Sequence, residues 1–338
     1  MADALHAGYD AFLFDLDGTV YHGPQPIPGA AAAIRQLREQ GAPVRFVTNN
    51  ASKAPGDVAD HLRELDIDAA PDEVSTSAQA AARLLGERLP AGAAVLVVGT
   101  AALEAEVAAA GLRPVRKAQD DVAAVVQGHN PATGWADLAE ACLAIRAGAL
   151  WVACNVDTTL PTERGLLPGN GSMVAALRAA TGGTPEVAGK PEAPLFVTAA
   201  ASADASRPLT IGDRLDTDIA GAVTAGMDSL CVLTGVATPA TLVTAIPAER
   251  PTYLGAGLGA LAEPADDLRI TPQAGWQVRR DGGALVATAD GDSDHLALLR
   301  TLCAVAWDTG VTDVRAGDER AAAALAELGL PSGVDSIS

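Results

Sequence analysis

The sequence predicts an α/β protein: a doubly wound parallel sheet core that carries an inserted α/β segment and is followed by a small α+β C-terminal domain. Three observations lead there. Short apolar runs such as Ala11-Phe12-Leu13-Phe14 end abruptly in polar residues and alternate with stretches of helical periodicity, the strand–helix order of a parallel sheet. That order breaks off near residue 77 and resumes near residue 187, with a second α/β pattern between. Beyond residue 263 the pattern changes to a hairpin and helices.

The run 11–14 reads as a buried strand leaving the core, because it ends in Asp15-Leu16-Asp17-Gly18-Thr19. The Pro- and Gly-rich stretch 21–29 is a loop. Residues 30–40, apolar at Ile34 and Leu37 and stopped by Gly41, form a helix. Residues 44–47 form a second buried strand that ends in Thr48-Asn49-Asn50, and a helix follows over 58–65. In the insert, strands are expected over 94–98, 123–127 and 150–153, with helices over 101–110, 135–147 and 172–180. The first pattern then resumes. Gly189-Lys190-Pro191 opens a helix through Phe196 and Ala200, a strand over 209–212 ends in Asp213, a helix over 218–225 stops at Gly226, and 229–233 is another strand. Residues 246–264, rich in Pro, Gly and Ala, read as the edge of the core and a linker. The tail has strands at 276–279 and 284–288 joined by Asp281-Gly282-Gly283, a helix over 295–307, a strand near Val314 and an Ala-rich helix over 319–328. The expected division is 1–76 with 187–262 for the core, 77–186 for the insert and 263–338 for the tail.

The chain has 338 residues, 49% of them hydrophobic, ample for a large core and suggesting two or three domains. A formal net charge of −19 leaves no basic surface for general nucleic-acid binding and disfavours anionic membranes. No nucleic acid and no membrane are therefore expected as partners. Cys142, Cys154, Cys231 and Cys303 are scattered without a CxxC pair and read as reduced, mostly buried thiols of a cytoplasmic protein. The N-terminus lacks the basic and apolar regions of a signal peptide, and no apolar stretch is long enough to span a bilayer.

Chemistry-bearing residues fall where the strands end. Asp15 and Asp17 are two apart, so on a continuing strand they share a face, roughly 7 Å apart at about 3.3 Å per residue. Ligands of an open α/β sheet bind at that end. Two carboxylates there repel unless a cation or a shared proton intervenes, and a hard ion with oxygen ligands such as Mg²⁺ meets that need. Thr48 and Asn49, Lys190, and Asp213 with Asp218 occupy three further strand ends or helix starts. In order, Asp15-Leu16-Asp17-Gly18-Thr19, Thr48-Asn49, Lys190 and Gly212-Asp213 with Asp218 resemble the four motifs of the haloacid dehalogenase superfamily, over roughly residues 10–245. The long insert, with Asn155, Asp157, Pro161, Gly165 and Pro168-Gly169, resembles the large α/β cap of the subfamily of nitrophenyl- and pyridoxal-phosphate phosphatases.

The resemblance implies a Rossmann-like core, a cap that selects substrate, and a Mg²⁺-dependent phosphatase. Asp15 would be the nucleophile and form an aspartyl-phosphate. Asp17 would protonate the leaving alkoxide and later deprotonate water. The Thr48 hydroxyl and nearby amides would hold phosphoryl oxygens, with Asn49 orienting the nucleophile or substrate and Asn50 a further substrate contact. Lys190 would offset the like charges of Asp15 and the phosphate. Mg²⁺ would bind Asp15, the backbone carbonyl of Asp17, and Asp213, with Asp218 an outer partner that holds Lys190 or a metal-bound water.

In the cap loops, His129, Asn130, Asp157, Thr158, Glu163 and Arg164 offer polar groups suited to hydroxyls on a short aliphatic chain. His129 and Asp157 are the substrate-contacting candidates, although this subfamily often carries Asp where His129 stands. Trp135 and Trp151, the only aromatics between residues 77 and 186, are expected in the core rather than as a platform for a ring. The expected substrate is a small phosphate monoester. Glycerol 3-phosphate is implied because a phosphatase followed by an acetyltransferase-like tail resembles actinobacterial glycerol 3-phosphate phosphatases. 2-Phosphoglycolate, pyridoxal 5′-phosphate or a nucleotide remain open, as does a homodimer through the cap. A non-catalytic phosphate-binding regulator is the alternative from another class, against which the intact Asp15, Asp17, Lys190 and Asp213 speak.

Within the tail, Arg279-Arg280-Asp281-Gly282-Gly283-Ala284 fits the Arg-x-x-Gly-x-Ala phosphate loop of acetyltransferases. An acyl-CoA loop should precede a helix, whose N-terminus meets the pyrophosphate, whereas this one sits in a hairpin. About seventy residues are also too few for a complete acetyltransferase. Packing or oligomerisation without catalysis, and weak or no acetyl-CoA binding, are expected.

Overall fold

The computed structural model describes residues 3–162, 164–292 and 294–331. The chain forms two compact units, Met1–Val44 with Ala205–Ser338, and Arg45–Asp204. Both are built on parallel sheets flanked by helices, the Rossmann-like α/β class expected.

In the first unit, four parallel strands lie in the order Tyr253–Gly255, Asp228–Val232, Pro208–Gly212 and Ala11–Phe14. Residues Ala11 to Phe14 are all fully buried. A parallel strand is covered on both faces, so it reads as an unbroken apolar run. Phe14 sits opposite Ile211, so the two chains run out of the sheet at the same end. The helix Ala30–Glu39 buries Ala30, Ile34 and Leu37, spaced four and three apart, and gives way to Gly41 at φ 75°.

Two expectations are corrected here. The helix expected from 218 begins earlier, as one π-helical turn over Leu215–Ile219 that runs into Ala220–Thr224. Insertions of this kind recur at functional sites because they turn a side chain off the regular helical face. Residues 246–264 are more than an edge and a linker. They contain Tyr253–Gly255, a buried strand whose three residues were too few to stand out from the surrounding Pro and Gly.

The tail is a three-stranded mixed sheet. Trp276–Asp281 pairs antiparallel with Ala284–Ala289 around Gly282 at φ 57°, and Ala284–Ala289 pairs parallel with Asp313–Ala316. The helix His295–Thr309 starts where the Asp294 carboxylate accepts the Ala297 N–H at 2.7 Å, and ends at Gly310 in the left-handed region. Its buried Leu298, Leu302, Cys303 and Ala306 share one apolar cluster with Leu215, Ile219, Leu242 and Leu254. The tail thus has no separate core. Arg300 is only 5% exposed. It donates Nε and Nη2 to the Leu254 carbonyl at 3.0 and 2.9 Å, fastening the tail to the sheet's edge strand. Burial pulls its guanidinium below the usual arginine value, with the charges of Asp294, Glu263 and Asp267 acting the other way.

The second unit holds a five-stranded parallel sheet in the order Glu186–Val187, Leu150–Ala153, Val122–Gln127, Ala94–Val98 and Arg113–Val115. Val98, Val125, Trp151, Val174 and Leu177 form its core with the helices Trp135–Arg146 and Asn170–Thr181. Strand Val44–Thr48 pairs in parallel with Val74–Thr76. The helix Ser77–Arg88 and the hairpin of Thr159–Thr162 with Gly165–Pro168 were not expected. The helix had a readable signal, the capping box Thr76-x-x-Gln79, in which the Thr76 hydroxyl accepts the Gln79 N–H and Gln79 Oε1 accepts the Thr76 N–H. Trp151 is buried as expected, but Trp135 is 83% exposed. The helix Trp135–Arg146 buries only Ala141 and Ala144, and at about 100° per residue Trp135 lies on the opposite face.

Cys154, Cys231 and Cys303 are buried free thiols and Cys142 is half-buried. Burial pushes the Cys154 thiol up to about 12. It raises Cys231 well above the usual value, with the charges of Asp213 and Asp218 adding to the effect. Neither is a thiolate nucleophile at neutral pH. Among the described residues, no helix is long and apolar enough to cross a membrane.

The shared cluster makes a prediction. Leu302→Ala should cost about 2–5 kcal/mol in urea unfolding of the full chain, because Leu302 is fully buried. A loss within about 0.5 kcal/mol would show that tail and sheet do not unfold together.

Candidate active site

The first unit gathers carboxylates at the C-terminal ends of its strands. Asp15 stands one residue past the strand Ala11–Phe14, and its N–H donates to the Ile211 carbonyl at 2.8 Å. Asp213 follows Pro208–Gly212 directly, and Asp218 lies in the π-helical turn. Asp15, Asp213 and Asp218 each bring one oxygen to within 4.8 Å of the others. Asp213 is fully buried and Asp218 is 2% exposed, while Asp15 is partly exposed.

The backbone is arranged around Asp213. Its Oδ2 accepts the Val236 N–H at 2.7 Å and its Oδ1 accepts the Thr19 hydroxyl at 3.2 Å. Asp218 Oδ2 accepts the Arg214 N–H at 3.1 Å. A Cβ on Gly235 would stand 2.0 Å from Asp213 Oδ2, and one on Gly18, at φ +95°, 2.4 Å from the same atom. Only glycine leaves room there. The Gly18 loop is tied by the Thr234 hydroxyl donating to its carbonyl at 2.7 Å and by His22 Nε2 donating to the Thr234 carbonyl at 2.8 Å.

Asp17 is placed differently from its partner carboxylates. The strand stops at Phe14, so Asp17 is not beside Asp15 on a strand face. It sits exposed in the turn made by Gly18, with its backbone bridged to Tyr21. An exposed carboxylate in a turn is free to exchange protons with solvent, whereas Asp213 and Asp218 are held out of water. Three carboxylates this close, two of them buried, repel one another, and an all-oxygen donor set suits a hard divalent cation such as Mg²⁺. The donor set fits that ion.

The second unit holds the remaining candidates in a network centred on Asn49. Its Oδ1 accepts the Lys190 N–H at 2.8 Å. Its Nδ2 donates to the Lys190 carbonyl at 3.1 Å and to the Asp157 carboxylate at 3.3 Å. The Asn49 carbonyl accepts the Ser77 hydroxyl at 2.6 Å and Asn155 Nδ2 at 2.7 Å, and the Asn155 carbonyl accepts Asn170 Nδ2 at 2.7 Å. Five separate chain segments are thereby knitted together. Gly189 belongs to the same packing, since a Cβ there would lie 2.4 Å from the Cys154 carbonyl and 2.5 Å from Asn49 Oδ1. Lys190 is 2% exposed, with Nζ 5.9 Å from the centre of the Phe196 ring.

Both polar ends of the Asn49 side chain thus have protein partners. Asn50 likewise closes its own turn: its Oδ1 accepts the Ser52 N–H and hydroxyl, both at 2.8 Å. The Thr48 hydroxyl accepts the Asn50 N–H at 3.1 Å. His129 and Asn130 follow the strand Val122–Gln127, and Asp157 follows Leu150–Ala153, so all three lie at the same end of the five-stranded sheet. Asn130 Nδ2 donates to the Gly99 carbonyl at 3.0 Å. Arg164 is exposed, and Glu163 lies outside the described residues. Sequence reasoning missed Thr19, Ser77, Gly235 and Asn170. Thr19 had a signal, being part of the first motif. The others act through backbone contacts that bring distant segments together, which no local pattern encodes.

Known proteins place these features in a family. Residues 12–113 match the haloacid dehalogenase-like hydrolase model, residues 187–261 a HAD-hydrolase-like model, and residues 273–330 a GCN5-related N-acetyltransferase-like domain. The D-glycerol 3-phosphate phosphatase of Mycobacterium tuberculosis is 52% identical over 336 residues, covering 95% of this chain and 94% of that protein. The acid sugar phosphatase of Staphylococcus aureus is 42% identical over 232 residues, covering 68% of this chain and 88% of that protein. The crystal structure of glycerol phosphate phosphatase from Mycobacterium tuberculosis in complex with magnesium matches with a TM-score of 0.94 and 53% identity, over 98% of this chain and 100% of that one. With the ordered carboxylates on the strand ends and this likeness along nearly the whole length, the chain belongs to the haloacid dehalogenase-like hydrolases.

Proposed function

We propose that this chain is a Mg²⁺-dependent phosphatase that hydrolyses glycerol 3-phosphate to glycerol and phosphate through an aspartyl-phosphate on Asp15. The observation that carries the chemistry is the carboxylate cluster of Asp15, Asp213 and Asp218 at the strand ends. The substrate rests on the 52% identical relative, whose name states that activity.

An Asp15 oxygen attacks phosphorus as the bond to the leaving alkoxide breaks, and Asp17 gives that alkoxide a proton. Asp17, exposed and in reach of solvent, then takes a proton from water. The hydroxide formed attacks phosphorus, releasing phosphate and restoring the Asp15 carboxylate. Asp15, the Asp17 carbonyl and Asp213, with Asp218 beside them, would hold Mg²⁺, which when bound would supply charge neutralisation for the phosphoryl oxygens. The Val236 amide and the Thr19 hydroxyl keep the Asp213 carboxylate in one orientation. The family resemblance assigns Lys190 as the positive charge for the phosphate and Thr48 as a contact for phosphoryl oxygens. Asn49 fixes the Lys190 backbone.

We assign residues 1–76 and 187–262 to the catalytic core, 77–186 to a substrate-selecting cap and 263–338 to a non-catalytic tail that does not bind acetyl-CoA tightly. His129 and Asp157 in the cap loops are the candidates for the glycerol hydroxyls. The free, mostly buried cysteines support a cytoplasmic protein, and the net charge of −19 speaks against nucleic acid or an anionic membrane as partner. A homodimer through the cap is consistent with the exposed Trp135, Leu143, Leu160 and Leu166 of residues 77–186. The exposed Trp135 also favours a second reading, in which an aromatic substrate such as pyridoxal 5′-phosphate stacks on its ring.

Asp15→Asn should fold and melt like the parent protein and lose activity by on the order of a thousandfold or more, because an amide cannot form the acyl-phosphate. Near-parental turnover would remove the nucleophile assignment. Among glycerol 3-phosphate, 2-phosphoglycolate and pyridoxal 5′-phosphate, glycerol 3-phosphate should give the highest kcat/KM. A tenfold advantage for pyridoxal 5′-phosphate, roughly 1.4 kcal/mol of transition-state binding, would establish the aromatic reading instead.

A further inference from the structure

Besides the Thr19 hydroxyl, a short stretch of chain after residue 235 holds Asp213, and that stretch is held by the tail. The Val236 N–H donates to Asp213 Oδ2 at 2.7 Å and the Ala237 N–H donates to the Asp213 carbonyl at 2.8 Å. Val236 is 59% exposed, so packing of its own side chain does not fix it. The chain passes at once into the helix Pro239–Val243, five residues capped by the Thr238 hydroxyl on the Thr241 N–H at 3.2 Å. A helix of that length is not stable by itself and depends on tertiary packing.

The packing comes from the tail. The helix His295–Thr309 lies against Pro239–Val243. Leu242 and Val243 are buried in the same cluster as Leu302 and Ala306. Trp307 Nε1 donates to the Leu242 carbonyl at 3.0 Å, one of the carbonyls that the end of a helix leaves without an internal partner. Arg250 holds the indole in place: its guanidinium lies 5.3 Å from the ring centre, and its Nε donates to the Ala245 carbonyl at 3.2 Å.

We propose that the acetyltransferase-like tail serves as a positioning element for the metal pocket, with Trp307 fixing the segment 236–243 so that the Val236 amide keeps Asp213 oriented for its cation. The inference rests on the reading of Asp213 as a Mg²⁺ ligand. A ligand that must be ordered on binding gives up affinity, and a ligand already held does not. The tail then contributes to function without chemistry of its own, which explains why an incomplete acetyltransferase fold would share its core with a phosphatase sheet rather than stand apart.

The test uses the full chain. Trp307→Phe keeps a ring and removes the Nε1 donor. Direct titration with MgCl₂ by calorimetry should show Mg²⁺ bound about three- to tenfold more weakly, below the roughly 10–100-fold cost of losing a direct outer partner of a ligand. The Mg²⁺ concentration for half-maximal hydrolysis of p-nitrophenyl phosphate should rise by the same factor, with kcat at saturating Mg²⁺ unchanged. Arg300→Lys loosens the tail at Leu254, away from the segment 236–243. It should lower the melting temperature and leave Mg²⁺ binding as in the parent. If Trp307→Phe does not fold, Arg250→Lys loosens the indole and should shift Mg²⁺ binding in the same direction. Unchanged Mg²⁺ affinity in the folded Trp307 or Arg250 variant, or equal weakening in Arg300→Lys, would overturn the proposal. Asp213→Asn separates the two readings: if that variant binds Mg²⁺ as the parent does, the metal assignment has failed rather than the role of the tail.

Discussion

Three carboxylates crowded at the end of a parallel sheet are the constraint on which the rest of this molecule turns. Asp15, Asp213 and Asp218 approach within 4.8 Å, and two of them are shut away from water. Like charges at that separation in a low-dielectric setting cost several kcal/mol unless something offsets them. The fold supplies backbone N–H groups from Val236 and Arg214 and a hydroxyl from Thr19. Gly18 and Gly235 pack so closely on Asp213 that a Cβ on either would clash with its carboxylate. Donors alone leave the negative charges in place, and a divalent cation offsets most of them.

The same logic of fixing polar groups by backbone contacts governs the second unit. Asn49, Asn155 and Asn170 each donate their side-chain amide to a carbonyl of another segment, and the Asn49 oxygen accepts the Lys190 N–H. Buried polar networks that are satisfied throughout specify one arrangement, because each unmade bond would leave a desolvated group. Lys190 is thus anchored through its own main chain at both N–H and C=O before its side chain does anything. In the first unit the tail plays a corresponding part with apolar packing and two main-chain anchors, Arg300 on Leu254 and Trp307 on Leu242.

Much of this was legible in the sequence. Apolar runs 11–14, 94–98 and 209–212 are fully buried strands, so their composition announces them. Asp15, Thr48, Lys190 and Asp213 fall at strand ends or just before a helix because a short polar break follows each apolar run. Illegible were the features set by distant contacts. Asp17 leaves the strand because of a turn at Gly18, a choice that two-residue spacing cannot reveal. The Asn49 network, with partners 108 and 141 residues away in sequence, is set by distant contacts that spacing cannot reveal. Trp135 looks like core by composition, but the helix it opens buries alanines on the other side. Tyr253–Gly255 is a strand only because Asp228–Val232 beside it offers a ladder.

The claim that the carboxylate cluster is a cation site is tested most directly by unfolding the full chain with and without Mg²⁺, with no substrate present. Relief of the repulsion predicts that Mg²⁺ stabilises the native state, by about 2.7 kcal/mol when the ion is at 100 times its Kd, and that Asp213→Asn abolishes the gain. Superimposable unfolding curves in Mg²⁺ and in chelator would contradict the account.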